Sequence, residues 1–274
     1  MSTTLKLPTN FLSEVLVLDN GSVTFLATAA DGYRRFAGPF ITSCLLTYPK
    51  SFCEVYVRRV AITQETALQR ALREAFGNRF SISEFPPQVK KLPGPVARWM
   101  IVPQLRSELT YIGDVDFIIT QPGLCDFHLE QMRQTGLPYS NSLRKGKPRL
   151  SGLHCVLTEP YFKALAPRLK KGWRPSRPCK NDEELLYRLC QPVFGVPPFR
   201  SRLPSKLRRP EYGFHVSPNR LPFGKKFNWQ LRPNRREEYL QLRDNPVWQS
   251  LVPYFFPRFR REVLAVLDRR YGVL

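Results

Sequence analysis

No apolar run in this 274-residue sequence approaches the roughly 18 to 20 residues that a helix needs to cross a bilayer, so we expect no transmembrane segment. The opening stretch MSTTLKLPTNFLSEV also lacks the basic, apolar and small-residue order of a secretory signal peptide. We therefore expect a cytoplasmic protein.

Other motifs are missing as well. The sequence contains no GxxxxGK[ST] and no GxGxxG, the glycine-rich loops that hold phosphates in many nucleotide-binding enzymes. None of the cysteines forms a CxxC pair, which argues against a zinc site and against a disulfide framework. We expect buried thiols instead. The six cysteines are residues 44, 53, 125, 155, 179 and 190.

Negative charge is scarce in the second half of the chain. Residues 1–140 hold 14 Lys and Arg against 12 Asp and Glu, a net charge of +2, whereas residues 141–274 hold 29 against 10, a net charge of +19. Such an imbalance attracts polyanions, so nucleic acid, a phosphorylated glycan and an anionic membrane surface are all candidate partners. A merely solvated basic face is the alternative. No feature predicts a protein partner.

Short apolar runs alternate with longer amphipathic ones, which is typical of an α/β fold. SVTFLATA, SFCEVYVRRV and RFSIS read as strands, and helices separate them. The second of these helices should begin near Thr63 as N-cap and end at Gly77. VARWMIVPQL reads as a further helix, and LTYIGDVDFII as one or two strands. Two helices, over 235–250 and 258–270, should end the chain.

Two carboxylates, Asp114 and Asp116, interrupt the apolar stretch YIGDVDFII. Residues i and i+2 of a strand point to the same side, so both could address one ligand, or they could straddle a bend at the end of the strand. Oxygen ligands of this kind suit Mg²⁺ or Mn²⁺. Capping of helices, or pairing with Arg98 or Arg106, is the structural alternative.

This stretch and its surroundings resemble the GT-A-type glycosyltransferases, enzymes that use nucleotide sugars and carry a DxD motif at the end of a central strand. The resemblance covers about residues 22–220. It lies in VTFLATAADGYRRFAGPFITSCLLTYP, ARWMIVPQL, YIGDVDFII, RLSGLHCVLTEPYF and YGFHVSPNR. It implies a GT-A-like, Rossmann-type mixed sheet flanked by helices, in one domain over 1–274. A nucleotide-sugar-binding lobe (about 20–140) would precede an irregular basic acceptor lobe (about 141–274).

The same resemblance assigns roles to individual residues. It implies that Asp114 lies near the donor ribose or the metal, that Asp116 ligates Mn²⁺ or Mg²⁺, and that His215 is a third ligand. The alternative for His215 is a strand histidine bonded to backbone. The base and ribose of a nucleoside-diphosphate sugar would dock near the end of the first strand, at Ala27, Thr28, Ala29 and Tyr33.

Departure of a nucleoside diphosphate builds negative charge on phosphate, which a metal ion and nearby cations stabilise. Arg98 and Arg220 are the candidate cations. An inverting transfer also needs a carboxylate base, for which the resemblance offers Asp182 or Glu183 in NDEELLY; helix capping is the alternative. His154 is a candidate for the sugar pocket or, alternatively, a core histidine.

The acceptor is indicated mainly by charge. We expect an anionic acceptor, a phosphorylated glycan or lipid-linked saccharide of the cell envelope, or alternatively DNA with hydroxylated bases. The aromatic and arginine-rich end, VWQSLVPYFFPRFRREVLAVLDRRYGVL, resembles a peripheral membrane anchor, although a helix docking on the core would show a similar pattern. The competing functions are a nucleotidyl- or phosphotransferase and a non-catalytic nucleic-acid or membrane-binding protein.

Overall fold

The structure is a computed structural model that describes residues 22–58, 66–105, 107–144, 147–170, 179, 181–197, 212–216 and 235–273. Among these residues, no helix combines the length and the apolar character that crossing a bilayer requires. All six cysteines are free thiols, and five of them are buried.

A six-stranded mixed sheet forms the centre of the described fold, in the order β3-β2-β1-β4-β7-β6. The first four strands in this order are mutually parallel, β7 is antiparallel to β4, and β6 is antiparallel to β7. A second sheet pairs β5 with β8. The strands are β1 (Val23–Ala29), β2 (Phe52–Val57), β3 (Phe80–Glu84), β4 (Leu109–Asp114), β5 (Phe117–Ile119), β6 (Tyr139–Ser140), β7 (His154–Leu157) and β8 (Gly213–His215).

Helices cover both faces of the large sheet. They are α1 (Ala37–Thr47), α2 (Ala67–Phe76), α3 (Gly94–Ala97), α4 (Leu124–Thr135), α5 (Thr158–Lys170), α6 (Asp182–Phe194), α7 (Arg236–Arg243), α8 (Pro246–Leu251), α9 (Pro257–Phe259) and α10 (Ala265–Arg270), with a π-turn at Arg260–Leu264 between the last two. Three-residue 3₁₀ turns lie at Pro87–Val89, Arg98–Met100 and Val252–Tyr254, and a longer one at Asp31–Phe36.

Two apolar cores lie on opposite sides of the sheet. One is formed with α1, α4 and the C-terminal helices, and includes Phe40, Leu129 and Phe259. The other is formed with α5 and α6, and includes Tyr161 and Leu186. Helices thus cover both faces of the sheet, as a mostly parallel sheet requires. The predicted α/β fold with a mixed sheet flanked by helices is therefore confirmed. The lobe boundary near residue 140 stays a prediction.

The helix predicted over VARWMIVPQL is wrong beyond its first turn. Helix α3 and the 3₁₀ turn end at Met100, and Ile101 is already extended, with φ −97° and ψ 127°. Pro103 disfavours a helical residue before it. The carboxylate of Glu54 accepts hydrogen bonds from the backbone N–H groups of Gln104 (3.1 Å) and Leu105 instead.

The predicted start of the preceding helix, α2, also differs from the observed one. Thr63 lies outside the described residues, and Thr66 is the N-cap of α2. The hydroxyl of Thr66 accepts from the N–H of Gln69 at 3.2 Å, and the side chain of Gln69 accepts from the N–H of Thr66 at 2.9 Å. This reciprocal capping box outweighs the earlier threonine as a helix start. The predicted end at Gly77 is confirmed.

The first of the two predicted C-terminal helices is divided into α7 and α8, whereas the second is confirmed as continuous helical structure from Pro257 to Arg270, with the π-turn inside it. The side chain of Asn245 accepts from the N–H groups of Val247 (3.0 Å) and Trp248 (3.2 Å), and Pro246 occupies the first helical position, so a new helix starts there. Pro257 begins the second helix, one residue before its predicted start. Only Pro246 therefore interrupts a predicted helix here, one whose apolar spacing alone reads as continuous.

The buried carboxylate of Glu54 gives a stability prediction. It lies in β2, has no exposed surface, and accepts from the hydroxyl of Tyr56 at 2.7 Å as well as from the two backbone amides of the segment before β4. Glu54→Gln places an NH₂ donor against donors, so we expect a loss of about 2 kcal/mol in the free energy of unfolding. Urea denaturation measures this loss.

The matched control is Glu74→Gln on the exposed side of α2. We expect it to change stability by less than about 0.5 kcal/mol, since surface substitutions rarely do more. Equal effects of the two substitutions would show that Glu54 does not hold this segment.

Candidate active site

The candidate site lies at the carboxyl ends of the parallel strands, where β1 is flanked by β2 on one side and β4 on the other. Thr28 near the end of β1 pairs in register with Asp114 at the end of β4. In the sheet, β2 and β3 lie on one side of β1 and the later strand β4 lies on the other, so the strand order reverses between β1 and β4. In open α/β sheets, ligands bind in the crevice outside the strand ends at such a switch point.

The two carboxylates of YIGDVDFII straddle a bend. Asp114 ends β4, Val115 and Asp116 form a turn, and Phe117 begins β5 in the second sheet. Strand β8 pairs with β5 so that His215 lies opposite Phe117, and the N–H of Val216 donates to the carbonyl of Asp116 at 2.8 Å. The small sheet therefore carries His215 to the acidic turn.

Asp114, Asp116 and His215 form one cluster, whose ligand atoms all lie within 4.8 Å of one another. Nε2 of His215 is 3.2 Å from Oδ1 of Asp116 and 3.9 Å from Oδ2 of Asp114. Asp116 and His215 are buried, while the side chain of Asp114 is 22% exposed. Two carboxylates and an imidazole fit Mn²⁺ or Mg²⁺, and the exposed edge at Asp114 leaves room for further ligands.

Arg98 connects the acidic turn to helix α6. Its side chain is 5% exposed, and its guanidinium bridges the carboxylates of Asp114 and Asp182, the second at 2.7 Å from Nη2. Burial by itself would lower the pKa of Arg98, but the attraction of Asp114 and Asp182 raises it above its usual value. The two carboxylates are only 22% and 21% exposed, so Arg98 neutralises charge that water reaches poorly.

The predicted role of Arg98 in binding donor phosphate stays a prediction, but its two Nη atoms are already engaged with carboxylates. The alternative interpretation of Asp114, pairing with Arg98, is realised in the structure. Both uses of Asp114 are compatible because its Oδ1 contacts Arg98 and its Oδ2 faces His215.

The two candidate bases at the start of α6 are in different places. Asn181 caps this helix, accepting from the N–H of Glu184 at 2.9 Å, so capping does not need Asp182. Asp182 joins the site through Arg98, whereas the carboxylate of Glu183 pairs with Arg144 at 2.5 Å. The structure thus brings Asp182, and not Glu183, to the acidic turn.

The residues predicted to dock the nucleotide lie around the end of β1. Ala27 and Ala29 have no exposed surface and are buried in the core that α1 covers, so neither is open to a ligand in this structure. Thr28 donates through its hydroxyl to the carbonyl of Gly94 at 2.8 Å, and half-buried Tyr33 lies in the 3₁₀ turn that follows β1. Arg220 lies outside the described residues.

His154 is a core residue and does not line the site. It is fully buried on β7, its Nδ1 lies 3.0 Å from Nδ2 of Asn141, and its Nε2 lies 2.9 Å from the hydroxyl of Tyr161. Burial lowers the pKa of His154 to about 3, with smaller contributions from His128 and Arg98, so the ring is neutral at pH 7.

Sequence reasoning missed that Arg98 and Asp182 are partners. They are 84 residues apart, and no local pattern links a 3₁₀ turn before β4 to the first turn of α6. The one available signal was compositional: a lone arginine in the apolar stretch VARWMIV needs a carboxylate partner if it is buried.

The fold and the site together define a class of protein. It is an α/β protein with a cluster of two carboxylates and a histidine at the switch point of its sheet. No known protein family matches the sequence, and no curated protein matches it. Comparison with solved structures finds glycosyltransferases and a cytidylyltransferase, each at most 19% identical and with a TM-score of at most 0.43.

Three of these structures illustrate the extent of the similarity. The glycosyltransferase GlyE of Streptococcus pneumoniae TIGR4 is 13% identical, with a TM-score of 0.43 over 62% of this chain and 43% of that one. A mannosyltransferase from Pyrobaculum calidifontis, solved with GDP-Man and Mn²⁺, is 11% identical, with a TM-score of 0.42 over 97% and 79%. The galactosyltransferase LgtC, with donor and acceptor sugar analogues, is 12% identical, with a TM-score of 0.39 over 92% and 96%. The chain thus spans less than half the length of GlyE.

Proposed function

We propose that this protein is a metal-dependent glycosyltransferase that moves a sugar from a nucleoside diphosphate to an anionic acceptor. The observation that carries the proposal is the cluster of Asp114, Asp116 and His215 at the switch point of the sheet. A cluster in this place faces the crevice where α/β proteins bind nucleotides.

Asp114, Asp116 and His215 would hold Mn²⁺ or Mg²⁺, an ion that stabilises the negative charge on a leaving diphosphate. Nε2 of His215 lies 3.2 Å from Oδ1 of Asp116, and pairing of β8 with β5 places His215 opposite Phe117. The buried pair of Asp116 and His215 and the partly exposed Asp114 give the site a closed side and an open side. Donor phosphate oxygens would enter from the open side.

Asp114 and Asp182 are the carboxylates that we place beside the donor sugar. Both are about one-fifth exposed, and both are held by Arg98, so their exposed edges can accept hydrogen bonds from sugar hydroxyls. A carboxylate that is ion-paired with arginine accepts hydrogen bonds well but takes up a proton less readily. Asp182 therefore fits a sugar-positioning role in addition to the predicted role of a base.

The base and ribose would occupy the crevice beside Thr28 and the 3₁₀ turn after β1. Tyr33 offers a half-buried ring there, and a ring next to a strand end can stack on a nucleobase. Ala27 and Ala29, which have no exposed surface, would support this crevice from beneath without touching the nucleotide.

The acceptor side is proposed from charge. The net charge of +19 over residues 141–274 favours an anionic acceptor, a phosphorylated glycan or a lipid-linked saccharide of the cell envelope. The same charge would suit duplex DNA with hydroxylated bases, which is the second candidate acceptor.

Calorimetric titration with UDP and GDP, each with and without Mn²⁺, tests the donor half of the proposal. We expect one of the two nucleotides to bind at least tenfold more tightly with Mn²⁺, because metal and diphosphate complete each other's ligand sets. Incubation with a panel of nucleotide sugars should then show slow hydrolysis of one donor.

Equal affinity with and without metal for both nucleotides, together with no hydrolysis of any donor, would contradict the proposal. Metal-dependent binding of nucleoside triphosphates without donor hydrolysis would instead favour the nucleotidyltransferase alternative.

A further inference from the structure

The segment after α8 exposes aromatic side chains. Tyr254 and Phe256 are 48% and 42% exposed, and they are the two exposed large hydrophobic residues in the part of the chain that the structure describes. Exposed aromatics of this size are usually found where a protein meets a partner or a lipid surface. Their position two residues apart places both on the outer side of the same turn.

The turn is held rigidly from beneath. Phe255, between the two exposed rings, is buried and makes an edge-to-face contact with Trp248 at a centroid distance of 5.2 Å. Phe255 also contacts Phe259, at 5.8 Å, and Phe259 contacts Phe36 at 5.7 Å. These four rings tie the turn to the core, so Tyr254 and Phe256 remain exposed on a fixed surface.

Three exposed arginines follow the exposed rings in the next helical segment. Buried side chains recur at positions 255, 259 and 263, which leaves Arg258, Arg260 and Arg261 on the outer side of this segment. Arg258 pairs with Glu262 at 2.6 Å, while Arg260 and Arg261 make no ion pair with any described residue. Two arginines without an ion pair to the described residues therefore lie in the same short stretch of chain as two exposed aromatic rings.

We propose that Tyr254, Phe256, Arg258, Arg260 and Arg261, here named the aromatic–arginine patch, dock the protein on the surface of an anionic membrane. Aromatic rings partition into the region between headgroups and acyl chains, and each arginine adjacent to anionic lipid adds electrostatic attraction. A protein partner of mixed charge would leave the arginines unpaired, and a neutral lipid surface would not use them.

Docking through this patch also explains the sequence of the C-terminal region. Its inward residues pack on the core as an ordinary helical segment, and its outward residues carry the pattern that resembles a membrane anchor. For VWQSLVPYFFPRFRREVL, the structure confirms core docking by the inward face, and the proposal assigns the membrane-anchor interpretation to the outward face. No residue of the patch belongs to the acidic cluster, so membrane binding and nucleotide binding can be measured with separate variants.

Sedimentation with lipid vesicles tests the proposal. Wild-type protein is mixed with phosphatidylcholine vesicles and with vesicles that contain phosphatidylglycerol as well, at low and high salt. We expect binding to the anionic vesicles only, weakened by salt. Two double variants, Tyr254→Ser with Phe256→Ser and Arg260→Gln with Arg261→Gln, should each weaken this binding on the order of tenfold or more.

The control is Lys90→Gln with Lys91→Gln, which removes two exposed positive charges from the segment after β3. We expect it to bind vesicles as the wild type does. Near-equal binding to neutral and anionic vesicles, an equal loss in the control, or unchanged binding of both patch variants would each overturn the proposal. Binding to duplex DNA without binding to anionic vesicles would overturn it too.

Nucleotide titration of the same variants separates this inference from the proposed function. The patch variants should bind UDP or GDP with Mn²⁺ as the wild type does. If no protein binds nucleotide but the patch variants still lose vesicle binding, the donor proposal fails and the docking surface stands.

Discussion

Asp116→Asn is expected to weaken metal-dependent nucleotide binding on the order of 100-fold or more, since even outer-shell partners of metal ligands cost 10- to 100-fold when they are removed. Asparagine has nearly the same shape as aspartate. The backbone hydrogen bond from Val216 to the carbonyl of residue 116 does not involve the side chain, so the turn and the pairing of β8 with β5 should persist.

The same substitution should leave the metal-free protein as stable as before, or more stable. Asp116 is buried beside His215, and a buried carboxylate without a cation is costly, so a neutral amide relieves that cost. Thermal unfolding distinguishes the two effects. Mn²⁺ should raise the midpoint of the wild-type protein by mass action and should not raise that of the variant.

Asp126→Asn is the matched control, because Asp126 is an exposed carboxylate in the first turn of α4 and lies outside the cluster. It should keep both the metal effect on the midpoint and the nucleotide affinity. Retention of the Mn²⁺ effect in Asp116→Asn, or its loss in Asp126→Asn, would show that the cluster is not the metal site.

Arg98→Met is expected to cost about 3 kcal/mol in the free energy of unfolding. Breaking a buried ion pair by removing one partner typically costs 3–5 kcal/mol, because the remaining charge is left uncompensated. Here two carboxylates are left, Asp114 and Asp182, but each is about one-fifth exposed and can recruit water, which favours the lower end of that range. Methionine fills most of the arginine volume, so the loss reports charge rather than a cavity.

Urea denaturation of Arg98→Met and of Arg133→Met measures the difference. Arg133 pairs with Glu130 on the surface of α4, where both side chains are about half exposed, so its replacement should cost less than about 0.5 kcal/mol. Adding Asp182→Asn to Arg98→Met should recover part of the loss. Equal costs for the two arginines, or no recovery, would contradict the bridging role of Arg98.

Much of the fold could be predicted from local patterns. The strand predicted over 22–29 is observed at Val23–Ala29, and the strand predicted over RFSIS at Phe80–Glu84. LTYIGDVDFII indeed divides into two strands. These elements are readable because periods of two and of 3.6 residues, together with glycine at the helix ends, are properties of neighbouring residues.

The errors occurred where a distant residue or a proline competes with the local pattern. VARWMIVPQL has helical spacing, but the amides of Gln104 and Leu105 bond to the carboxylate of Glu54, about 50 positions away. The helix predicted over 235–250 has continuous apolar spacing, but Asn245 and Pro246 start a second helix within it. Helix preference is summed over neighbouring residues, so it cannot detect one hydrogen-bond acceptor that is distant in the sequence.

The sequence by itself determined the β-α-β order, the acidic pair and the basic second half, because each depends on residue types and their spacing. The tertiary structure alone decided which side chains meet that pair. Pairing of β5 with β8 carries His215 across 99 residues to Asp116, and burial forces the guanidinium of Arg98 to find Asp182 84 residues away. Contacts of this kind form because buried charges must be neutralised within the folded protein, and chain spacing does not encode which charge does so.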